Sequence, residues 1–123
     1  MVPLIQTLRK CQNNKFSEVL INTDGATVVV REGTYLENIE FTGRNIRVTG
    51  FDPNITETTA YPVIDANYLG TAVTFSQEED PDCVLEGFVI TRGLDEWAGG
   101  ILCQNSSPTI SNCVIAGNRA MPA

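Results

Sequence analysis

Short apolar segments separated by turn residues run along most of the chain. Within segments 38–41 and 45–49, apolar and polar residues alternate, which is typical of a strand with one buried face. A glycine follows each of these two segments, at positions 43 and 50, and glycine readily adopts the left-handed backbone of a tight turn. Most segments hold three to five residues, so they are shorter than the strands of an ordinary β-sandwich. The pattern predicts an all-β protein of many short strands.

The apolar segments also repeat. Residues 84–91 align with residues 109–116 at an offset of 25, and residues 73–75 align with residues 101–103 at an offset of 28. Apolar positions coincide in both alignments, pairing Leu85 with Ile110, Phe88 with Cys113, Ile90 with Ile115, Val73 with Ile101 and Phe75 with Cys103. A period near 25 residues, with three short strands in each repeat, indicates a solenoid that stacks one coil on the next.

The beginning of the chain follows a different pattern. Leu4, Leu8 and Cys11 have the spacing of one helical face, and Pro3 suits the first position of a helix. The sequence therefore predicts a helix over residues 3–12.

Several segments resemble a known family. The runs GTYLENI (33–39), NIRVT (45–49), VID (63–65) and VLEGFVIT (84–91) are similar to the beginning of a bacterial right-handed parallel β-helix protein of the pectin-lyase-like superfamily. The runs GGILC (99–103) and SSPTISNC (106–113) resemble its next coil, and GNRA (117–120) resembles its closing turn.

The resemblance implies a single domain over residues 1–123, an all-β right-handed parallel β-helix of about three to four coils. Members of the superfamily commonly begin with a helical cap, which implies a cap over residues 1–22 and coils over residues 23–123. The superfamily includes lyases, hydrolases, phage tailspikes and adhesins, so the resemblance predicts a fold and leaves the activity open. Its members are usually exported, whereas residues 1–20 lack the apolar stretch of a secretory signal, so the compartment stays open too.

Charge and residue content exclude several functions. The chain has 8 basic and 15 acidic residues, a net charge of −7, whereas a nucleic-acid binder needs a cationic surface. It has no histidine, which excludes a Ser-His or Cys-His catalytic pair and a His-ligated zinc ion. No apolar run approaches the roughly 18 residues of a membrane-spanning helix. We expect no nucleic-acid partner and no membrane span, and the residue content disfavours an enzyme.

One loop between coils combines a cation, two carboxylates and the only tryptophan of the chain: Arg92, Asp95, Glu96 and Trp97. A sugar ring offers an apolar face and several hydroxyl groups, so this combination predicts a carbohydrate-binding site on a lateral face of the coils. Tyr61 and Tyr68, in other loops, are further aromatic candidates.

Two alternatives apply to the same loop. It can be a solvated loop in which the tryptophan packs on a neighbouring coil. It can also belong to a lyase in which Asp95 or Glu96 acts as acid or base and Arg92 stabilises the intermediate. The lyase is disfavoured because Arg92 is the only basic residue between Arg47 and Arg119.

Acidic residues are concentrated between positions 78 and 82. This run resembles a site for Ca²⁺, whose candidate ligands here are Glu78, Glu79, Asp80 and Asp82. The spacing does not match an EF-hand loop, and the alternative is an acidic turn in solvent. Apart from Ca²⁺ we predict no cofactor.

Asp65 ends segment 63–65, and we interpret it as a turn residue that binds its own backbone.

The four cysteines, Cys11, Cys83, Cys103 and Cys113, do not have the spacing of a zinc module. Cys103 and Cys113 align with phenylalanines at inward positions of the repeat, so we interpret the cysteines as buried free thiols. A disulfide between Cys103 and Cys113 is the alternative in an exported protein.

The last coil is expected to leave an apolar cross-section uncovered, formed by Ile101, Ile110, Cys113 and Ile115. We expect a homo-oligomer, a dimer formed by coil-end stacking; a longer protein and a covering partner are the alternatives.

The leading hypothesis is a small non-catalytic β-helix module that binds carbohydrate on a lateral face and self-associates through its open coil end. The alternatives are a fragment or remnant of a polysaccharide lyase and a purely structural or assembly protein.

Overall fold

The computed structural model describes residues 5–8, 25, 27–43, 45–50 and 61–121. Within these ranges the chain forms fourteen strands of two to four residues and no helix. The strands pair in parallel, and an isolated antiparallel bridge joins Gly70 to Leu94. The prediction of an all-β protein of short strands is confirmed.

The strands are, in chain order, β1 (Ile5–Leu8), β2 (Thr27–Val30), β3 (Thr34–Leu36), β4 (Ile39–Glu40), β5 (Arg47–Thr49), β6 (Val63–Asp65), β7 (Val73–Phe75), β8 (Val84–Glu86), β9 (Val89–Thr91), β10 (Leu94–Asp95), β11 (Ile101–Cys103), β12 (Thr109–Ser111), β13 (Val114–Ile115) and β14 (Arg119–Ala120). They form sheet A (β1-β2-β5-β8-β12), sheet B (β3-β6-β9-β13), sheet C (β4-β7-β11) and sheet D (β10-β14).

From β2 onward the chain visits sheets A, B and C in a fixed order, and in repeats 3 and 4 it enters sheet D after sheet B. Sheets A, B and C receive β2-β3-β4, then β5-β6-β7, then β8-β9-β11, and β12-β13 follow in sheets A and B. We call these passes repeat 1 (27–43), repeat 2 (45–50 and 61–83), repeat 3 (84–108) and repeat 4 (109–121). Because each strand pairs with its equivalent one repeat away, the backbone groups of one repeat satisfy those of the next.

The register places equivalent apolar residues next to each other. Leu85 pairs with Ile110 and Ile90 pairs with Ile115, as the offset of 25 predicts. The offset of 28 is confirmed as well, because β7 and β11 pair at equivalent positions. Since side chains alternate between the two faces of a strand, this register directs one apolar column from each sheet into the interior.

The core lies between the sheets and is fully apolar at its centre. Its largest buried side chains are Phe41, Phe75, Phe88, Ile39, Ile46, Ile64, Leu85, Ile90 and Val28. Phe41 of repeat 1 and Phe75 of repeat 2 stack with their ring centroids 4.3 Å apart and their planes at 23°. Burying one such side chain stabilises the fold by about 1.5–3 kcal/mol, so these columns dominate the stability of the stack.

The predicted helix over residues 3–12 is wrong for residues 5–8. These residues form β1, which pairs in parallel with β2, matching Ile5 to Thr27 and Leu8 to Val30. An isolated helix of ten residues is marginal in water, whereas the edge of β2 offers a row of unpaired N–H and C=O groups. The rest of the predicted helical cap, residues 1–4 and 9–22, lies outside the described residues.

Candidate ligand-binding site

Four segments that begin at or directly after the last residue of a strand of sheet B stack on one side of the protein. They are residues 36–38, 66–72, 92–100 and 116–121, and we call them the lateral turn face. Backbone hydrogen bonds join neighbouring segments: Tyr68 N–H donates to the Arg92 carbonyl oxygen (2.6 Å), and Arg92 N–H donates to the Gly117 carbonyl oxygen (3.2 Å). Because adjacent parallel strands lie about 4.8 Å apart, this face presents loop side chains from consecutive repeats at close intervals.

Side-chain hydrogen bonds fix the first three segments relative to one another. Asn38 Nδ2 donates to the carbonyl oxygens of Leu69 (2.7 Å) and Thr71 (2.8 Å). Thr71 Oγ1 lies 2.9 Å from Asp95 Oδ2 and 2.8 Å from the Ala98 carbonyl oxygen. These bonds bring Asp95, one of the predicted ligand-binding residues, against the loop of the preceding repeat.

The segment 92–100 folds closely on itself. A Cβ atom at Gly93 would lie 1.7 Å from the Gly99 carbonyl oxygen, so any residue other than glycine would clash at this position. The two ends of the segment therefore meet, and Glu96 and Trp97 between them are exposed to solvent.

Arg92 is the centre of a polar cluster on this face. Its Nη1 lies 3.1 Å from Asp65 Oδ2, and its Nη2 donates to Asn67 Oδ1 at 2.8 Å. Its Cζ is 5.1 Å from the centroid of the Tyr68 ring, and the Cζ of Arg119 is 5.9 Å from the same centroid. Both guanidinium groups are therefore within cation–π range of one tyrosine.

Exposed apolar side chains are concentrated on the same face. In the described part of the chain, seven large hydrophobic side chains are exposed. Five of them belong to the lateral turn face: Leu36, Tyr68, Leu69, Trp97 and Met121. Trp97 is the most exposed of all, at 77%. Clustered exposed apolar groups mark interaction sites more often than scattered ones do.

The predicted ligand-binding residues therefore occupy one surface, and the structure adds partners that the sequence did not indicate. Asp65 is the last residue of β6 rather than a turn residue, but its side chain binds nearby backbone as predicted, since its Oδ1 accepts a hydrogen bond from Asn67 N–H at 2.8 Å. Its ion pair with Arg92 and the contact of Arg119 with Tyr68 were not predicted. The period of the sequence is the only signal that points to them, because Asp65 and Arg92 are separated by 27 residues, close to one repeat.

The four acidic residues proposed as Ca²⁺ ligands point to different surroundings. Glu79 is buried, and its carboxylate accepts hydrogen bonds from Gly43 N–H (2.7 Å), Gln77 N–H (2.9 Å) and the Ser106 hydroxyl (3.0 Å). Glu78, Asp80 and Asp82 are exposed. No three His, Cys, Asp or Glu side chains in the described residues are grouped as metal ligands. A role for the run in binding Ca²⁺ stays a prediction, and Glu79 has a structural role.

Three of the four cysteines are described, and they are free thiols. Cys83 is buried as predicted, and burial raises its pKa from 9.0 to about 12. Burial also raises the pKa of Cys113, which is half-buried. The prediction that Cys103 is buried is wrong: the residue is exposed, because β11 is the last strand of sheet C in the described structure. The Cys103–Cys113 disulfide is not formed, and Cys11 lies outside the described residues.

Of the residues predicted to form the end face, Ile101, Ile110 and Ile115 lie in the last strands of sheets C, A and B, and Cys113 lies between β12 and β13. Ile101, Ile110 and Cys113 are half-buried and pack against the core, whereas Ile115 is exposed by 51%. Ile101, Ile110 and Ile115 pair with Val73, Leu85 and Ile90, which are fully buried, so their exposure results from their place at the edge of the stack.

Comparison of the chain with protein-family models, with curated proteins and with solved structures gives no match. No helix in the described ranges has the length and hydropathy to cross a membrane. The functional assignment therefore depends on the chemistry of the lateral turn face.

Proposed function

We propose that the chain is a right-handed parallel β-helix module that binds carbohydrate on its lateral turn face. The β-helix is supported by the fixed order in which the chain visits sheets A, B and C and by the parallel pairing of each strand with its equivalent one repeat away. The apolar columns in the interior also support the β-helix, because each repeat of a solenoid buries its apolar side chains against the neighbouring repeats. Each repeat is then one coil.

The observation that carries the binding proposal is the exposure of Trp97. A large aromatic side chain left in water loses the stabilisation that burial would give, so its exposure on a structured loop favours a ligand that covers it. The indole face matches the apolar face of a pyranose. Asn67, Asp95 and Glu96 on the same face offer amide and carboxylate groups for the sugar hydroxyls.

An extended glycan fits this face better than a single sugar. Each repeat contributes at least one exposed apolar side chain to the lateral turn face: Leu36 in repeat 1, Tyr68 and Leu69 in repeat 2, Trp97 in repeat 3 and Met121 in repeat 4. A ligand that crosses several repeats contacts one of these side chains in each. Binding without catalysis is favoured over a lyase because the Arg92 guanidinium, the group that would stabilise an intermediate, is engaged by Asp65 and Asn67.

Replacing Trp97 by alanine is expected to weaken carbohydrate binding by at least about tenfold, because a central aromatic contact contributes more than about 1.4 kcal/mol. Isothermal titration calorimetry with cello-oligosaccharides and oligogalacturonates measures the affinity. The fluorescence of Trp97, the only tryptophan of the chain, reports whether bound sugar covers the indole.

Val114→Ala is the matched control for this experiment. Val114 is also an exposed apolar residue, but it lies on β13, outside the lateral turn face, so the variant is expected to bind as the wild type does. Equal affinity of Trp97→Ala and the wild type, or a wild type that binds neither class of glycan, contradicts the proposal.

A second candidate function, self-association through the last coil as a dimer, is favoured by the charge pattern. Residues 98–118 contain no charged residue, in a chain whose net charge is −7. Exposed strand edges are usually protected by charges, but β11, β12 and β13, the last strands of sheets C, A and B, carry none, and Arg119 lies on β14 in sheet D. Two copies repel each other through their net charge, and a face without charge is where they can approach at the least cost.

Ile115→Lys is expected to raise the dissociation constant of the dimer by at least about tenfold, because it places two like charges against each other at the junction. Sedimentation velocity or light scattering across a concentration range measures the change. Leu36→Lys, at an exposed position of repeat 1, is the control and is expected to leave the dimer intact. A wild type that stays monomeric at every concentration contradicts self-association.

A further inference from the structure

Three residues occupy equivalent corners at the point where the chain leaves sheet B. Asn67, Arg92 and Gly117 all have a left-handed backbone, with φ of 54°, 58° and 72°. They follow one another on the lateral turn face, since Tyr68 N–H binds the Arg92 carbonyl oxygen and Arg92 N–H binds that of Gly117. Glycine and asparagine adopt this conformation readily, whereas arginine does so rarely and at a cost in free energy. Arginine is therefore the unexpected residue at this corner.

The Arg92 side chain contacts three residues of the preceding repeat. It binds the Asp65 carboxylate at 3.1 Å and the Asn67 amide oxygen at 2.8 Å, and its Cζ lies 5.1 Å from the centroid of the Tyr68 ring. Asn67 and Tyr68 are two consecutive residues with positive φ, so the backbone that presents the tyrosine ring is itself unusual. The guanidinium group spans this short loop and holds it from one side.

These contacts do not make arginine the most stable choice for the corner. The side chain of Arg92 is 42% exposed, and an ion pair in contact with solvent contributes little to stability. The left-handed conformation of a residue with a Cβ atom costs more than such a pair typically returns. Residues kept in strained conformations are concentrated at functional sites, where the strain serves a defined geometry.

We propose that Arg92 is a positioning residue of the lateral turn face, which orients the Tyr68 ring for contact with carbohydrate. This inference rests on the proposed function. It gives Arg92 an indirect role, in which Arg92 positions Tyr68 and Tyr68 contacts the carbohydrate. Arg119, which is exposed and has its guanidinium 5.9 Å from the same ring, does not contact Asp65 or Asn67 and so does not span the loop.

The test compares Arg92→Gly, Arg92→Lys and Asn112→Gly with the wild type. Glycine suits the corner, as Gly117 does one repeat later, but removes the guanidinium group. Lysine restores the charge without the forked geometry that reaches Asp65 and Asn67 together. Asn112 has φ of 52° between β12 and β13, outside the lateral turn face, and is the matched control for replacing a left-handed residue by glycine.

Three readouts separate positioning from stability: the melting temperature, the affinity for cello-oligosaccharides and oligogalacturonates, and the NMR signals of the Tyr68 ring without ligand. Arg92→Gly is expected to melt at or above the wild-type temperature, to bind at least about tenfold more weakly and to shift the Tyr68 ring signals toward those of a tyrosine in solvent. Arg92→Lys is expected to recover part of the affinity, and Asn112→Gly to bind as the wild type does.

The outcomes distinguish the inference from the proposed function. If Arg92→Gly binds as tightly as the wild type, or loses affinity only together with its melting temperature, the positioning role is overturned and carbohydrate binding stands. If the wild type binds no glycan but Arg92→Gly still shifts the Tyr68 ring signals in this way, carbohydrate binding is overturned and the positioning of Tyr68 stands.

Discussion

Glu79→Ala is expected to lower the free energy of unfolding by about 3–5 kcal/mol, because a buried hydrogen-bonded carboxylate is lost and its donors are left without partners. Glu79 is 3% exposed, and its two oxygens accept hydrogen bonds from Gly43 N–H, Gln77 N–H and the Ser106 hydroxyl. These donors belong to the loops that end repeats 1, 2 and 3. One side chain therefore connects three repeats, and its loss weakens the stack along its axis.

Urea denaturation of the full chain measures the effect, and the adjacent acidic residue gives a matched control. Glu78 is exposed, so Glu78→Ala is expected to change the free energy of unfolding by less than about 0.5 kcal/mol. Glu79→Gln keeps one acceptor oxygen and is expected to fall between the two. Similar stabilities for Glu78→Ala and Glu79→Ala contradict the role assigned to Glu79.

The repetition of the fold could be predicted from the sequence because stacking repeats must bury like residues at like positions. The alignment of Leu85 with Ile110 and of Ile90 with Ile115 gave the register of sheets A and B. The prediction of an N-terminal helix failed because residues 5–8 are not part of the sequence repeat, and their local spacing does not show which strand they pair with. Residues 5–8 have local helical spacing, but their conformation depends on the edge of β2, more than 15 residues away in the sequence.

The candidate site could be predicted only in part, because its residues belong to loops of different lengths. Trp97 and Arg92 are neighbours in the sequence, so a local pattern was sufficient to find them. The contacts of Arg92 with Asp65 and Asn67 depend on how two loops stack, and no local pattern encodes this.

The acidic run shows the same limit at another position. The sequence does not distinguish the four neighbouring carboxylates from one another. Glu79 is the buried one because Gly43 and Ser106, 36 and 27 residues away, donate hydrogen bonds to it.

Phe75→Ala is expected to lower the free energy of unfolding by about 3–5 kcal/mol, the cost of removing a buried phenyl ring and leaving a cavity. Phe75 is fully buried and stacks on Phe41, with the ring centroids 4.3 Å apart. On its other side its partner in the register is Cys103, a smaller side chain that cannot fill the space. Because β7 lies between β4 and β11, the cavity opens in the middle of sheet C, where the surrounding strands have little room to collapse.

Three further variants, Phe75→Leu, Phe41→Ala and the double alanine variant, decide whether the loss of stability comes from the stacked ring pair or from the lost volume alone. Phe75→Leu keeps most of the apolar volume without the ring, and is expected to cost less than half as much as alanine. In the double variant Phe41→Ala with Phe75→Ala, the two losses are expected to sum to more than the measured total by about 0.5–1.5 kcal/mol, the coupling of two stacked rings. Denaturation of the four chains of this cycle gives the coupling directly. Strict additivity would show that the two repeats are held together by burial alone, without a specific contribution from the aromatic pair.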